Sequence, residues 1–313
     1  MKQSILITGG LGNLGSWISV YFHEANFDVF ITTRKAPDFT YPYTVIECDI
    51  TNVESLSVLD NYNFDYVIHL ASYNEFFEEN YFKKALNINV NGTYNLLQKL
   101  KKRELKGFIY FSTIHVYGAE VGYITEESPV SPKNDYASTH LFAEYIVRQY
   151  APQYNIPFTI FRLSNSYGCP KFENNTKWYL VLNDFCRQAV QNNEIVLNSN
   201  GQQSRDFIWM GDVSNVCLDF VRNNFFYNEI YNLSSGSILN IADVAKKVKN
   251  KYESKFGKKI KINFNSNNTI FINSYILSNS KLVLNYNYIF QNKIEFEIER
   301  ILIKLVENGT KTE

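Results

Sequence analysis

Three glycines near the start of the chain have the spacing of a phosphate-binding loop. Gly9, Gly12 and Gly15 follow the apolar run 4–8 and precede a stretch, 16–22, with the apolar spacing of a helix. Gly9 permits a tight turn, Gly12 lets backbone N–H groups and the helix N-terminus approach a pyrophosphate, and Gly15 allows close packing of the helix. We therefore predict that a dinucleotide is bound by Gly9, Gly12, Asn13, Leu14 and Gly15.

Basic residues stand where the second strand is expected to end. NAD enzymes normally have an acidic residue there, about twenty residues past the glycines, which accepts hydrogen bonds from the hydroxyls of the adenosine ribose. This chain has Thr32-Thr33-Arg34-Lys35 instead, and two cations with a hydroxyl suit the 2′-phosphate of NADP. The alternatives, an Arg34 that stacks on adenine and a solvated Lys35, leave NAD open. Asp49 and Ile50, after the third strand, are placed to contact adenine, although Asp49 fits a helix N-cap equally well.

The elements that position these residues alternate along the first half of the chain. Short β-branched or apolar runs alternate with amphipathic stretches of helical length, which is the pattern of βαβ units and a parallel sheet. The predicted strands are 4–8, 28–32, 44–48, 66–70, 107–112 and 158–163. Between the last two, 136–150 carries apolar residues at helical spacing, so Tyr136 is expected in the first turn of a long helix.

The chain is expected to be an α/β protein with two domains. A doubly wound Rossmann domain is predicted over 1–165. A smaller domain that contributes binding loops is predicted over 166–313, where the sequence changes to longer polar segments with intermittent aromatic residues. The segment 207–233 is expected to return to the first sheet, and 294–305 has the apolar spacing of a terminal helix.

Composition narrows the class of function. Lys+Arg and Asp+Glu both number 31, so the chain has no overall field that favours nucleic acid or an anionic membrane. No apolar stretch has the roughly eighteen residues that a membrane span needs, and the N-terminus lacks the features of a signal peptide. The 4 cysteines are scattered without a CxxC pair, as expected for reduced thiols. We expect a cytoplasmic enzyme with no metal site that binds neither nucleic acid nor membrane.

Further motifs follow the glycine loop in a recognisable order. They are His69-Leu70-Ala71, Asn89 to Thr93, Phe111 to Thr113 with Val116-Tyr117-Gly118, Tyr136 at the start of a helix, Arg162 to Gly168, Arg205 to Ile208, Tyr231-Asn232-Leu233 and Ser280-Lys281-Leu282. In this order the motifs resemble those of the extended short-chain dehydrogenases/reductases, which include nucleotide-sugar epimerases, dehydratases and reductases. The resemblance covers nearly the whole chain and implies a Rossmann enzyme that uses NAD(P).

The resemblance implies a role for individual residues. Thr113 is then the residue that hydrogen-bonds the substrate hydroxyl. Tyr136 is the acid/base that moves the proton of this hydroxyl while a hydride passes between the nicotinamide and a ring carbon. The resemblance also implies cofactor contacts from Leu70, Ala71 and Asn89, and from Tyr136 and the residue four positions after it.

This chain departs from the family pattern at that position. The family has lysine four residues after the tyrosine, on the same helix face, where the ammonium lowers the tyrosine pKa and reaches the nicotinamide ribose. Here the residue is His140, whose ordinary pKa near 6.5 leaves it mostly uncharged at neutral pH. His140 either bonds the ribose and permits slow chemistry, is held charged by a neighbour, or marks a site without activity. We expect activity at a reduced rate and with a more alkaline optimum.

The residues after Thr113 bear on the type of sugar chemistry. The family's 4,6-dehydratases have an Asp-Glu pair there, whereas this chain has Ile114-His115, so dehydration is not expected. His115 stands where bifunctional GDP-sugar epimerase/reductases place a cysteine base, and a C5 base is one interpretation of it. The other interpretation makes His115 a packing or hydrogen-bonding residue. The expected reaction is then oxidation at C4, by a 4-epimerase or by a C4 dehydrogenase.

The resemblance also implies contacts to the substrate diphosphate. Arg205 matches the arginine that clamps it, and a guanidinium fork suits bidentate phosphate contact. Asn165 matches an asparagine that contacts the same group, whereas the alternative for Arg205 is a buried pair with Asp206. Asp212 is expected to cap a helix over 213–221. Weaker candidates for contacts to the nucleobase are Lys177, Trp178 and Asn183.

Two further expectations come from the resemblance. The family commonly dimerises through the helix that begins at Tyr136, and Phe142, Tyr145 and Ile146 are candidates for such a face. A surface-polysaccharide pathway with a GDP-linked mannose or heptose is the suggested setting. The competing hypothesis is a degenerate member of the fold that binds a dinucleotide without catalysis.

Overall fold

The computed structural model describes residues 2–37, 40–74, 80–119, 121–172, 178–265 and 275–309. The chain folds as two compact units. The first consists of Met1–Gly118, Glu126–Leu163 and Val213–Leu233, and the second of Ala119–Thr125, Ser164–Asp212 and Ser234–Glu313. The boundary at Leu163 is close to the one suggested after Asn165, but the chain crosses between the units more often than the sequence indicated.

The secondary structure alternates along the chain. The strands are β1 (Ser4–Thr8), β2 (Asp28–Thr33), β3 (Thr44–Glu47), β4 (Tyr66–His69), β5 (Gly107–Thr113), β6 (Gly122–Ile124), β7 (Phe158–Leu163), β8 (Asn165–Tyr167), β9 (Glu194–Leu197), β10 (Ser204–Trp209), β11 (Glu229–Leu233), β12 (Ile238–Asn240), β13 (Lys261–Phe264) and β14 (Tyr275–Leu277). The α-helices are α1 (Asn13–Glu24), α2 (Tyr81–Ala85), α3 (Gly92–Leu100), α4 (Asp135–Gln153), α5 (Val181–Asn192), α6 (Met210–Asn223), α7 (Ile241–Phe256), α8 (Ser280–Tyr286) and α9 (Ile294–Gly309).

The first unit contains a seven-stranded sheet in the order β11-β7-β5-β4-β1-β2-β3. Every pairing in it is parallel. Its central strands are almost continuous apolar runs because a parallel sheet is covered on both faces, and Ile5, Leu6 and Ile7 are all fully buried. The strand order reverses between β1 and β4, which is the point where open parallel sheets bind ligands at their carboxyl edge.

Helix α4 is the element on which the predicted acid/base depends. Asn134 precedes it with an extended backbone, and its Oδ1 accepts from the N–H of Ala137 at 2.9 Å. This cap satisfies a first-turn donor and typically contributes about 1 kcal/mol. Tyr136 therefore lies in the first turn of a helix whose start is fixed by its own sequence.

The second unit contains three smaller sheets, and three of its helices pack together around its core. Its sheets are β12-β10-β8, β13-β9 and β14-β6. Its core lies among α5, α7 and α9, where Cys186, Val244 and Ile298 are fully buried. The terminal helix predicted over 294–305 is present as α9.

The predicted α/β fold is confirmed, and all six predicted strands are present within one or two residues of their expected ends. The returning segment differs from the expectation. Strand β11 pairs with β7 in the large sheet, whereas β10 pairs with β8 and β12 in the second unit. The expectation for Asp212 was wrong: α6 begins at Met210, and the Asp212 carboxylate accepts from the N–H of Gln291 at 2.9 Å.

Among the helices in the described ranges, none is long and apolar enough to cross a membrane.

Candidate active site

The glycine loop brings backbone, rather than side chains, to the carboxyl end of β1. Gly9 has φ +69°, a left-handed conformation that costs glycine little, and a Cβ there would lie 3.0 Å from the N of Ala71. A Cβ on Gly15 would lie 2.2 Å from the carbonyl oxygen of Gly9. These close approaches require glycine at both positions, and they leave the start of α1 open.

The N-terminus of α1 is suited to an anion. Gly12 is its N-cap, no side chain caps it, and no acidic residue lies in its first turn. Asn13 and Leu14 follow as the first helical residues, so their N–H groups belong to the positive end of the helix dipole. A pyrophosphate held there gains hydrogen bonds and the favourable dipole together.

The adjoining loop after β4 is fixed to β1 by a chain of buried hydroxyl and imidazole groups. The Thr8 Oγ1 accepts from the N–H groups of Leu70 and Ala71, both at 3.2 Å, and lies 2.6 Å from His69 Nδ1. His69 Nε2 lies 2.9 Å from Thr93 Oγ1. Because Thr8 already accepts from two donors, its own proton goes to Nδ1, which leaves the His69 proton on Nε2.

Asn89 supports this edge of the sheet from within the protein. Its Oδ1 accepts from the N–H of Tyr73 at 2.7 Å, and its Nδ2 donates to Thr139 Oγ1 at 3.0 Å. The side chain is 1% exposed, and both its donor and its acceptor are used by the protein. Its Nδ2 also donates to the carbonyl oxygen of Tyr73, at 3.4 Å. Asn89 thus ties the loop after β4 to α4 with both amide hydrogens, and the cofactor contact suggested for its side chain is left with a lone pair of Oδ1.

The residues suggested for adenosine lie after β2 and β3. Arg34 and Lys35 are exposed beyond the end of β2. The Oδ1 of Asp49 accepts from the backbone N–H of Thr51 at 2.9 Å and from its hydroxyl at 2.7 Å. Asp49 therefore caps the turn that follows β3, while the neighbouring Ile50 is buried.

The four candidate catalytic residues come together at the end of β5 and the start of α4. The Tyr136 ring lies 4.6 Å from the His140 ring and 6.2 Å from the His115 ring, both edge-on. Thr113 Oγ1 accepts from the N–H of His115 at 3.3 Å, so its hydroxyl proton remains available to a ligand. The rings of His115 and Tyr136, more than twenty positions apart along the chain, are thus neighbours in the fold, and proton transfer requires such closeness.

His140 is buried and neutral. It is 3% exposed, and burial, together with the nearby His115, lowers its pKa to about 4, although the Phe111 backbone acts in the opposite direction. Its Nδ1 lies 3.0 Å from the Tyr110 hydroxyl. Its Nε2 has no hydrogen-bond partner of good geometry in the described part of the chain. The suggestion that a neighbour holds His140 charged finds no support in these surroundings.

A buried ion pair fixes α4 against the sheet. Glu144, one helical turn after His140, accepts from Arg162 Nε at 3.0 Å and from Nη2 at 2.7 Å. Tyr117 lies 4.7 Å from the guanidinium carbon and donates to Asn232 at 2.6 Å. Burial opposes the charge on Arg162, but Glu144 outweighs it and raises the pKa of the guanidinium. Removing one member of such a pair typically costs about 3–5 kcal/mol.

Sequence reasoning missed Tyr110 and Glu144. Glu144 had a signal, since it recurs at helical spacing after Tyr136 and His140 and so shares their helix face. Tyr110 had none beyond its place in an apolar strand.

The proposed substrate contacts lie in the second unit. Asn165 Nδ2 donates to the carbonyl oxygen of Asp206 at 3.1 Å. The Asp206 carboxylate accepts from Ser164 and, at 3.1 Å, from the N–H of Ser235. Within the described ranges Arg205 makes no ion pair, so the alternative of an Arg205–Asp206 pair is not what the structure contains. Lys177 lies outside the described residues.

The first unit has polar atoms that a dinucleotide can satisfy. His140 Nε2 and Ser112 Oγ are buried without a hydrogen-bond partner among the described residues. Together with the backbone cradle at Gly9 and the uncapped α1, they fit a cofactor with a pyrophosphate and ribose hydroxyls. No group of His, Cys, Asp or Glu in the described ranges has the arrangement of a metal site.

Comparison with known proteins agrees with this geometry. The pattern of the NAD dependent epimerase/dehydratase family matches residues 5–234. A dTDP-D-glucose 4,6-dehydratase of Dictyostelium discoideum is 27% identical over 278 residues, which cover 79% of this chain and 62% of the relative. The chain therefore spans less than two thirds of that relative's length.

Two solved structures have the same fold. UDP-glucose 4-epimerase of Thermotoga maritima superposes with a TM-score of 0.83 and 19% identity, over 98% of this chain and 100% of the other. UDP-glucuronic acid 4-epimerase of Bacillus cereus, in complex with NAD, gives a TM-score of 0.81 and 21% identity over 97% of each chain. At these identities the likeness establishes the fold alone.

Proposed function

Because this chain belongs to the NAD dependent epimerase/dehydratase family, we propose that it is a nucleotide-sugar oxidoreductase acting at C4 of the sugar ring, as a 4-epimerase or a C4 dehydrogenase. The observation that carries this proposal is the grouping of Thr113, Tyr136 and His140 in the unit that holds the glycine loop. Tyr136 lies 4.6 Å, ring to ring, from His140. A dinucleotide-binding protein without catalysis has no need of such a group.

The residues divide the work of hydride transfer. Bound NAD(P) supplies the hydride acceptor, held by the glycine loop, α1 and the loop at Leu70 and Ala71. Thr113 donates a hydrogen bond to the sugar hydroxyl and orients it. Tyr136 takes the proton of that hydroxyl as the ring carbon loses its hydride, and returns the proton when the hydride comes back.

The cofactor preference is part of the proposal. Arg34 and Lys35 follow the end of β2, where dinucleotide-binding folds contact the adenosine ribose of the cofactor. Two exposed cations favour a 2′-phosphate, and we therefore favour NADP over NAD.

The residues after Thr113 argue against dehydration, even though a relative carries that name. Ile114 is buried and His115 is exposed, and neither is a carboxylic acid that can exchange protons at C5 and C6. His115 supports a second candidate function. Its ring lies 6.2 Å from that of Tyr136, so an epimerase/reductase of a 4-keto sugar with His115 as the C3 or C5 base is the alternative.

We assign Arg205 and Asn165 to the substrate diphosphate. Arg205 is half-buried with no ion-pair partner in the described part of the chain, and its planar fork suits two phosphate oxygens. A GDP-linked mannose or heptose of surface-polysaccharide synthesis is the sugar we would test first.

Phe142 and Tyr145, 44% and 50% exposed on α4, support a homodimer, which light scattering at micromolar concentration tests.

The first experiment identifies the nucleotide released from the purified, denatured protein by mass and absorbance. Release of NADP(H) supports our cofactor preference, and release of NAD(H) overturns it in favour of internal recycling. The protein is then incubated with GDP-, UDP- and dTDP-hexoses, and products are followed by NMR. A C4 epimer or a 4-keto product supports the proposal, whereas exchange of deuterium only at C3 or C5 supports the alternative. A protein that binds neither cofactor refutes both.

A further inference from the structure

The buried contact between Tyr110 and His140 is not used by the mechanism above. Tyr110 is on β5 and His140 on α4, both 3% exposed, with the Tyr110 hydroxyl 3.0 Å from Nδ1. Among the described residues, His140 Nδ1 is the only hydrogen-bond partner of that hydroxyl. The other ring nitrogen, Nε2, is buried without a partner of good geometry there.

We propose that Tyr110 is a positioning residue that holds His140 in its Nε2–H tautomer, so that a neutral imidazole presents one N–H donor to a hydroxyl oxygen of the reaction site. The donor takes the helix position at which related enzymes carry an ammonium. The tautomer follows from this structure alone. The role of the donor in turnover rests on the proposed function.

The two tautomers of His140 differ in how many buried polar groups they leave without a hydrogen-bond partner. If Tyr110 donates to Nδ1, the imidazole proton lies on Nε2, and that buried donor has no partner of good geometry among the described residues, although the Phe111 backbone lies close to the ring. If Nδ1 donates to Tyr110 instead, the phenolic O–H has no acceptor and Nε2 is a second unsatisfied atom. A buried donor without a partner is costly, and only the first arrangement leaves its spare donor on the side chain that neighbours Tyr136.

The surroundings of the pair keep both groups uncharged. Burial raises the pKa of Tyr110 well above its ordinary value, with Glu144 and Tyr136 acting in the same direction, so the phenol keeps its proton. His69 lies 5.7 Å from the Tyr110 ring, and its own hydrogen bonds go to Thr8 and Thr93. His115 and the Phe111 backbone face His140, and no carboxylate pairs with it in the described ranges.

The arrangement changes what the helix position contributes to the reaction. An ammonium has three donors and a charge, whereas the His140 imidazole has one donor whose direction is set by the ring. Loss of the Tyr110 hydroxyl leaves the ring in place but releases the proton to either nitrogen. A fraction of the molecules then presents an acceptor where the reaction needs a donor.

The test is ¹⁵N-histidine NMR of the cofactor-free protein at neutral pH, with long-range correlations that report which ring nitrogen carries the proton. The chain has 4 histidines, so His23→Gln, His69→Gln and His115→Gln each remove one set of signals, and the set that remains in all three variants belongs to His140. We expect His140 protonated on Nε2 and hydrogen-bonded at Nδ1. In Tyr110→Phe the His140 signals should move toward a mixture of tautomers. An Nδ1–H tautomer in the wild type, or an unchanged spectrum in Tyr110→Phe, overturns the proposal.

Tyr66→Phe is the matched control. Tyr66 is 3% exposed on the neighbouring strand β4, and in the described part of the chain its hydroxyl accepts a hydrogen bond only from Gln3 Nε2, at 3.5 Å. Its replacement should leave the His140 signals unchanged. If Tyr110→Phe does not fold, the wild type still decides, because a slowly exchanging Tyr110 hydroxyl proton with a correlation to His140 Nδ1 is required.

Kinetics separate this proposal from the proposed function. Tyr110→Phe should lower kcat by roughly three- to tenfold, the range that one hydrogen bond supports, with KM unchanged. An unchanged kcat overturns the role in turnover. A wild-type protein without any turnover refutes the proposed function, and the NMR of the cofactor-free protein then supports or refutes the tautomer by itself.

Discussion

Apart from the Glu144–Arg162 ion pair of the first unit, the two units differ in the titratable groups that they bury. In the first unit His69 and His140 are buried and neutral, because burial lowers their pKa values to about 3 and about 4. In the second unit Asp206 and Asp212 are buried, and burial raises their pKa values. The imidazoles lie beside residues suited to proton transfer, whereas the carboxylates accept hydrogen bonds from backbone and serine groups that hold loops in place.

This difference indicates which unit performs the chemistry. A neutral imidazole offers one donor and one acceptor, so each ring fixes the direction of the hydrogen bonds that it makes. A buried carboxylate offers acceptors and is satisfied by fixed donors. Substitutions in the first unit should therefore affect kcat, and substitutions in the second should affect binding or local stability.

The largest expected effect is that of Tyr136→Phe. Removal of the hydroxyl should lower kcat by about a thousandfold, because proton transfer by a positioned side chain contributes roughly 10²–10⁴-fold. Dinucleotide binding should persist. Tyr145→Phe, half exposed on the same helix, is the control and should keep full turnover. A Tyr136→Phe protein with near wild-type kcat would show that the first unit does not carry out the proton transfer through Tyr136.

Arg205→Gln tests the second unit. Loss of the guanidinium should raise KM for the nucleotide-sugar about ten- to hundredfold with little change in kcat, because the diphosphate is held equally in ground and transition states. Arg187→Gln is the control, since Arg187 is a half-exposed surface residue paired with Asp184. A fall in kcat without a change in KM would contradict the assignment of chemistry to the first unit and of substrate binding to the second.

Acid should destabilise the first unit. His69 and His140 have pKa values below their ordinary value of 6.5, so the unfolded chain binds protons that the folded chain does not. Their contribution to stability is complete above about pH 6.5 and is lost as the pH falls toward 4, by about 1–2 kcal/mol per imidazole at pH 5.

The buried carboxyl groups of the second unit change stability with pH in the opposite direction. With a raised pKa, the folded Asp206 keeps a proton that the unfolded chain loses above 3.8, so its contribution falls as the pH rises from there. Hydrogen exchange at pH 7 and pH 5, corrected for intrinsic rates, should therefore show protection falling in β4 and α4 relative to β10. Equal losses in both units would show that these groups do not control the pH response.

The smallest expected effect is that of His140→Lys. A cation at this position should lower the pKa of Tyr136 and raise kcat near neutrality by about three- to tenfold, with an optimum shifted to lower pH. The pH profiles of the wild type and the variant measure it. Loss of turnover in a variant that still folds and binds cofactor would show that the neutral donor of His140, and not a charge, is what the reaction uses.

The sequence by itself determined the features that depend on local pattern. The alternation of short apolar runs and amphipathic stretches placed six strands of the parallel sheet, because each face of an element needs a regular period of apolar residues. Glycine spacing located the turn after β1, since only backbone can approach so closely there. The position of Tyr136 followed in the same way from the period of α4.

Only the tertiary structure decided which of these residues meet. The sequence could not pair Tyr110 with His140 or Glu144 with Arg162, nor place β10 outside the large sheet. Nor could it reveal that the Asn89 amide bonds to Tyr73 and Thr139. Each of these contacts joins elements far apart along the chain, and the types of residue involved occur as often in apolar strands and helix faces without function. Their chemistry arises from burial and from a partner about 3 Å away, which are properties of the folded chain.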